Sequence, residues 1–154
     1  MTLIVEPGDP MAPGAAALLR ASHAFMESMF PPEDNHYLSL DALKLPEITF
    51  FIAREGSETL GTGALRNAGD HGEVKSMFVA ETARGRGVAD ALLRQIEDHA
   101  RALGLPLIRL ETGNTLYAAH RLYTRHGFTL CGPFGVYLAN QTSVFMEKRL
   151  DTEY

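Results

Sequence analysis

Arg84-Gly85-Arg86-Gly87-Val88-Ala89 stands between an apolar run that ends at Val79 and the strongest helical pattern in the chain. Two glycines without β-carbons let the backbone come close to a ligand. The first turn of the following helix leaves its amides unpaired, pointing outward with the positive end of the helix dipole behind them. The segment therefore reads as an anion site. A phosphate or pyrophosphate placed there would accept amide hydrogen bonds, with Arg84 or Arg86 available for a charge-assisted contact. A tight strand-to-helix connection with solvated arginines has the same local pattern, so the surrounding elements must decide. The Gly-Lys-Ser/Thr of a nucleotide triphosphatase loop is missing, and no third glycine completes a dinucleotide fingerprint.

Outward from this turn, Val88, Leu92, Ile96, Ala100 and Leu103 make one apolar stripe, which predicts a helix over 88–103 stopped by Gly104 and Pro106. Downstream, Leu107 to Glu111 reads as a strand and Leu116 to His126 as a helix ended by Gly127. The segments 128–131 and 143–150 read as closing strands around a Gly/Pro/aromatic loop. Upstream, His71 to Val79 is expected as a strand, preceded by paired strands over 48–54 and 59–65 with a turn at Gly56. Leu3-Ile4-Val5 opens the chain as a short strand. A helix from about Ala15 carries Leu18, Leu19, Ser22, Phe25, Met26 and Met29 on one face until Pro31-Pro32, and a second short helix is expected over 38–45 before Pro46. The alternation across 73–131 gives an α/β domain with a crossover unit at its centre.

The chain has 154 residues, 45% apolar and 21% charged, as one globular domain over residues 1–150 with a polar tail over 151–154. A net charge of −5 argues against a non-specific hold on nucleic acid or anionic lipid. No apolar run is long enough for a membrane span and the start lacks a signal-peptide pattern, so a cytoplasmic protein is expected. Cys131, in Phe128-Thr129-Leu130-Cys131, reads as a small core residue rather than a nucleophile. The histidines at 71, 99, 120 and 126 have no metal-ligand spacing, and no metal is expected.

Arg84, Gly87 and Ala89 resemble the Gln/Arg-x-x-Gly-x-Gly/Ala signature of the GNAT acetyltransferase superfamily, and Leu122-Tyr123-Thr124-Arg125-His126-Gly127-Phe128 resembles its Tyr-x-x-x-Gly-Phe segment. The similarity runs from the first strand to the last and is greatest to small stand-alone bacterial members. It implies a single-domain acyl-CoA N-acyltransferase fold. That fold has two N-terminal helices, a mixed, mostly antiparallel and splayed sheet, and helices on both faces. The implied activity is acetyl transfer from acetyl-CoA, as co-substrate, to a primary amine of a small molecule or peptide by direct attack in a ternary complex. A non-catalytic acyl-CoA-binding sensor is the alternative. A homodimer is left open.

The resemblance also assigns residues. Met77, Phe78 and Val79 would offer their backbone to the pantetheine arm as though to an added strand, and Arg84, Gly85, Arg86, Gly87, Val88 and Ala89 would hold the pyrophosphate. Glu73 has the spacing of a catalytic glutamate that takes the proton from the amine. Its other reading is a glutamate paired with Lys75, two residues along the same strand face. Tyr123 matches the family's general acid for the departing thiolate, its other reading being an apolar-face helix residue. Asn114 resembles an asparagine that bonds the cofactor, although it lies nine residues before Tyr123 where seven is expected, and Leu116 has the shorter spacing. Glu111 is a second base candidate, or else a solvated strand-end carboxylate. Phe25, Met29, Phe30 and His36 are expected to line the acceptor pocket, with Gly132-Pro133-Phe134-Gly135-Val136-Tyr137 as a second wall.

Overall fold

The structure, a computed structural model, describes residues 2–135 and 137–151. Val136 and the last three residues of the expected tail lie outside that range. Seven strands form one sheet in the order β1-β2-β3-β4-β5-β7-β6. Strands β1 (Leu3–Pro7), β2 (Ile48–Glu55), β3 (Glu58–Asn67) and β4 (Gly72–Val79) form an antiparallel meander. The crossover helix α2 (Val88–Ala102) leads to β5 (Leu107–Gly113), which runs parallel to β4. Helix α3 (Tyr117–Arg125) then precedes β6 (Thr129–Cys131) and β7 (Ser143–Arg149), and β7 inserts between β5 and β6.

Helices cover both faces because side chains alternate along each strand. Phe51, Ala53 and Leu65 point into the larger core with Val88, Leu92, Leu93, Ile96 and Ala100 of α2. Their neighbours Phe50 and Ala64 point the other way, toward Ala15 and Leu19 of α1 (Pro13–Met29). Four residues of the expected α2 stripe are buried, whereas Leu103 lies past the helix end and is exposed. Glu97, on the polar side of the sequence pattern, is buried and held by Lys148 Nζ at 3.0 and 3.1 Å.

The N-terminal half departs from expectation in two ways. One long helix is present instead of two. The segment expected as a helix over 38–45 forms only a single 3-10 turn, Ala42–Lys44, and another, Pro32–Asp34, follows the Pro31-Pro32 stop. Leu43 is the only buried residue in the Ala42–Lys44 turn, too little apolar surface to offset the cost of nucleating a helix. The expected apolar face of α1 is also divided. Ala15, Ala16 and Leu19 are buried in its first half, while Phe25 and Met29 are 42% and 45% exposed.

Two backbone features open the site. Strands β4 and β5 are paired only at Gly72↔Ile108 and Glu73↔Arg109, so the two strands part beyond that point. On its other side β4 carries one extra residue against β3, where Thr62 pairs with Phe78 but Ala64 pairs with Lys75. The bulge puts Ser76 at φ 55, a left-handed conformation that costs a non-glycine residue energy, and Thr62 Oγ1 ties it down by donating to the Ser76 carbonyl at 2.8 Å.

Candidate active site

From Val74 onward the edge of β4 that faces β5 has no strand partner among the described residues. Its N–H and C=O groups therefore border the gap between the parted strands. Beside this edge lies a cleft of about 950 Å³. Met77, Phe78 and Val79 form one wall, the turn and first residues of α2 form the end, and one face of α3 with Thr115 and Leu116 forms the opposite wall. Such a volume accommodates a large organic ligand.

The turn has the geometry expected of an anion cradle. Gly85 and Gly87 have φ 76 and 78, and an added Cβ at either would meet open space, so glycine is required by conformation and not by crowding. Gly87 is the N-cap of α2 and carries no side chain to occupy the first-turn amides, which stay available to a ligand. Arg84, Gly85, Gly87, Val88 and Ala89 all line the cleft. Arg86 is turned away, its guanidinium donating to Glu55 on β2. Two arginines not singled out from the sequence, Arg121 and Arg125 of α3, stand at the cleft instead. They lie four residues apart on one helix face, the signal that could have found them. Arg125 and His126 both bond the Asp90 carboxylate, at 2.9 and 2.8 Å, and tie the end of α3 to the first turn of α2.

A model of the Acetyltransferase (GNAT) family matches residues 16–128. The chain belongs to that family. It is 42% identical to the IAA acetyltransferase of Azospirillum brasilense over 92% of this chain and 94% of that one. It is also 42% identical to the Bacillus subtilis (strain 168) protein named Uncharacterized N-acetyltransferase YsnE, over 81% and 85% of the two chains. Among solved structures, one described as an acyl-CoA N-acyltransferase from Klebsiella pneumoniae superposes with a TM-score of 0.84 at 30% identity, covering 97% of this chain and 98% of that one. The Salmonella typhimurium protein yncA, solved with its cofactor acetyl-CoA, has the same fold, with a TM-score of 0.73 at 20% identity over 99% and 96% of the chains. The protein is thus an acyltransferase with the family's open, splayed sheet.

Within this GNAT fold, Tyr123 lines the cleft. Its ring lies edge-on to Phe128 at 5.6 Å. Burial, and next the Glu111 carboxylate, push its phenol well above the ordinary value, so it keeps its proton at neutral pH. Glu111 itself is half-buried and accepts a hydrogen bond from Ser143 Oγ at 2.7 Å. Burial raises its carboxyl, against the pull of that hydrogen bond and of His36 and Lys75 nearby. Ser143 was not anticipated, although the alternation of Ser143, Phe145 and Glu147 places it on the face of β7 that Glu111 shares.

Glu73 sits in a closed network. It is 3% exposed, and its Oε2 takes hydrogen bonds from Tyr137 Oη and from Lys75 Nζ at 3.3 Å, while Arg66 Nη1 stands 3.6 Å from Oε1. Lys75 Nζ also donates to Tyr137 Oη at 2.7 Å and to the His36 carbonyl at 3.0 Å. The cluster clasps β4 to both loops that roof this face, the one after α1 and the one before β7.

Other expected residues fall around it. His36 packs edge-on to Tyr137 at 5.1 Å. Phe30 fills the space over Gly113 at the end of β5, which a Cβ there would occupy. Phe25 lines the cleft with Ser22 and Met26, whereas Met29 is exposed and does not line it. The Asn114 amide donates to the Gln141 carbonyl at 2.9 Å and ties β5 to the loop before β7, and Leu116, at the shorter spacing, lines the cleft. The only free cysteine, Cys131, is half-buried on β6.

Proposed function

We propose that this acetyltransferase moves the acetyl group of acetyl-CoA directly onto a primary amine of a small molecule or peptide, with Glu111 as the proton acceptor and Tyr123 as the proton donor. The observation that carries this reading is that Tyr123 lines the cleft while the Glu111 carboxylate lies near enough to act on its phenol. A carboxyl raised by burial holds a proton more readily than a solvated one, and a phenol raised by burial keeps its own to give away.

The cleft fits the co-substrate part by part. The diphosphate would rest on the amides after Gly87, with Arg84 adding charge, and the pantetheine arm would pair with the free edge of Met77, Phe78 and Val79 as an added strand. That places the thioester near the Ser76 bulge. An amine near its reference pKa of about 10.4 is unprotonated in roughly one molecule in a few thousand at pH 7, so a base is needed. Glu111 takes the ammonium proton, the neutral nitrogen attacks the thioester carbonyl, the C–S bond breaks as Tyr123 protonates the leaving sulfur, and the tyrosinate takes back the second proton that the nitrogen sheds in becoming an amide. Glu73 is the weaker base candidate because Lys75, Arg66 and Tyr137 already claim its carboxylate. We read it as the anchor of the roof loops.

Thiol release from acetyl-CoA, followed over a panel of primary amines, tests the reading. Turnover on at least one amine that falls by about 100-fold in Tyr123→Phe supports it. Tight acetyl-CoA binding without turnover on any amine would favour a sensor.

A further inference from the structure

Among the described residues, Glu111 is the one carboxylate on its side of the central strands without an ion pair, and that selects an acceptor. Glu73, Lys75, Arg109, Glu111 and Glu147 occupy the sheet face opposite α2. Glu73 is matched by Lys75 and Arg66, and Glu147 by Arg109 Nε at 3.2 Å. Glu111 has only the neutral Ser143 hydroxyl as a direct partner among the described residues. The cations of this face are committed as well. The three protons of Lys75 go to the His36 carbonyl, Tyr137 Oη and Glu73, and the Arg109 guanidinium, besides its pair with Glu147, lies 5.6 Å from the centre of the Phe134 ring. Asn35 Oδ1, an acceptor, and His36 Nε2, an acceptor when the proton is on Nδ1, are enclosed with no hydrogen-bond partner among the described residues.

Among the described residues the face therefore holds a carboxylate without an ion pair and no uncommitted cation. A group that enters as a donor-rich cation satisfies it, and a second carboxylate does not. We infer that the acceptor is an amine with no carboxylate beside its nitrogen, such as an alkylamine, an arylalkylamine or a peptide amino terminus, and that free α-amino acids are rejected. The inference rests on the proposed function. It adds that Glu111 holds the incoming ammonium before it takes the proton, and that like-charge repulsion at this one residue sets the selectivity.

Matched trios on one scaffold test this. With acetyl-CoA saturating, kcat/KM is compared for phenethylamine, phenylalaninamide and phenylalanine, and again for isobutylamine, valinamide and valine. The amine and amide should exceed the free acid by at least ~100-fold, since a juxtaposed like charge opposes binding. In Glu111→Gln the absolute rates should drop while the amide-to-acid ratio collapses toward one. Free acids that match their amides overturn the inference and leave amine acetylation standing, as does a ratio unchanged in Glu111→Gln. If no member of either trio is acetylated by protein that binds acetyl-CoA, amine transfer itself fails and the inference with it.

Discussion

Glu73 and Arg109 face each other across β4 and β5 at the last paired position before the two strands separate. Everything proposed for the site depends on that parting. Before it, Gly72 and Ile108 are packed in the ordinary way. After it, the edge of β4 has no strand partner among the described residues, and Glu111, two residues beyond Arg109, lies opposite Phe145 of β7 with its carboxylate on Ser143.

The turn that closes this gap depends on backbone conformation. Gly87→Ala meets no clash but must hold φ 78, which costs a non-glycine residue about 1–2 kcal/mol. The variant should lose about that much stability by urea unfolding. It should also show a smaller rise in melting temperature with acetyl-CoA than wild type, because the amides after Gly87 no longer point together.

The Glu73 network makes a contrasting prediction about stability. Tyr137→Phe removes one donor from a buried carboxylate and should cost about 1–3 kcal/mol. Lys75→Met leaves Glu73 with the half-exposed Arg66 as its cation and should cost about 3 kcal/mol or more. Chemical denaturation of both proteins checks the order.

Asp90 gives a pH signature. Despite burial, His126 and Arg125 hold its carboxyl below the ordinary value. A lowered folded pKa contributes stability that is complete above the unfolded value and is lost as the pH falls through the folded one. Asp90→Asn should therefore be less stable than wild type at pH 7, with the gap closing in acid. Melting temperatures from pH 7 down to the onset of acid unfolding would show it.

Glu111 has the opposite sign. Its folded pKa is raised, chiefly by burial, so its contribution is complete below the unfolded value and lost as the pH rises through the folded one. Glu111→Gln, which stays neutral, should match wild type below about pH 4.5 and be the more stable protein at pH 7.5. Paired melting curves at the two pH values suffice.

The sequence disclosed what repeats along the chain and little of what is joined across it. The stripe from Val88 to Ala100 gave α2, and its position after Val79 and before Leu107 gave the crossover, because periodicity and chain order are local signals. The segment 38–45 misled because apolar residues at helical spacing do not report whether a helix has enough core to bury. Phe25 fits the pattern of a buried face yet lines the cleft, since spacing cannot distinguish a core from a pocket wall. The Tyr137 to Glu73 contact spans 64 positions and involves a loop with no period, so Glu73 could be placed on its strand without disclosing that its carboxylate is already taken. Glu111 and Ser143 meet only through the β5 to β7 register, which alternation implies once that pairing is known.

The central claim is that the amine proton goes to Glu111 and that Glu73 holds the roof. The most direct measurement is the rate of acetyl transfer in a single turnover, with acetyl-CoA prebound, for wild type, Glu111→Gln and Glu73→Gln on the best amine of the panel. The account predicts a loss of about 100-fold or more in Glu111→Gln that is relieved as the pH rises and more of the amine is already neutral, with Glu73→Gln within about tenfold of wild type where it stays folded. A folded Glu73→Gln protein that loses the larger factor, beside a Glu111→Gln protein that keeps its rate, would contradict it.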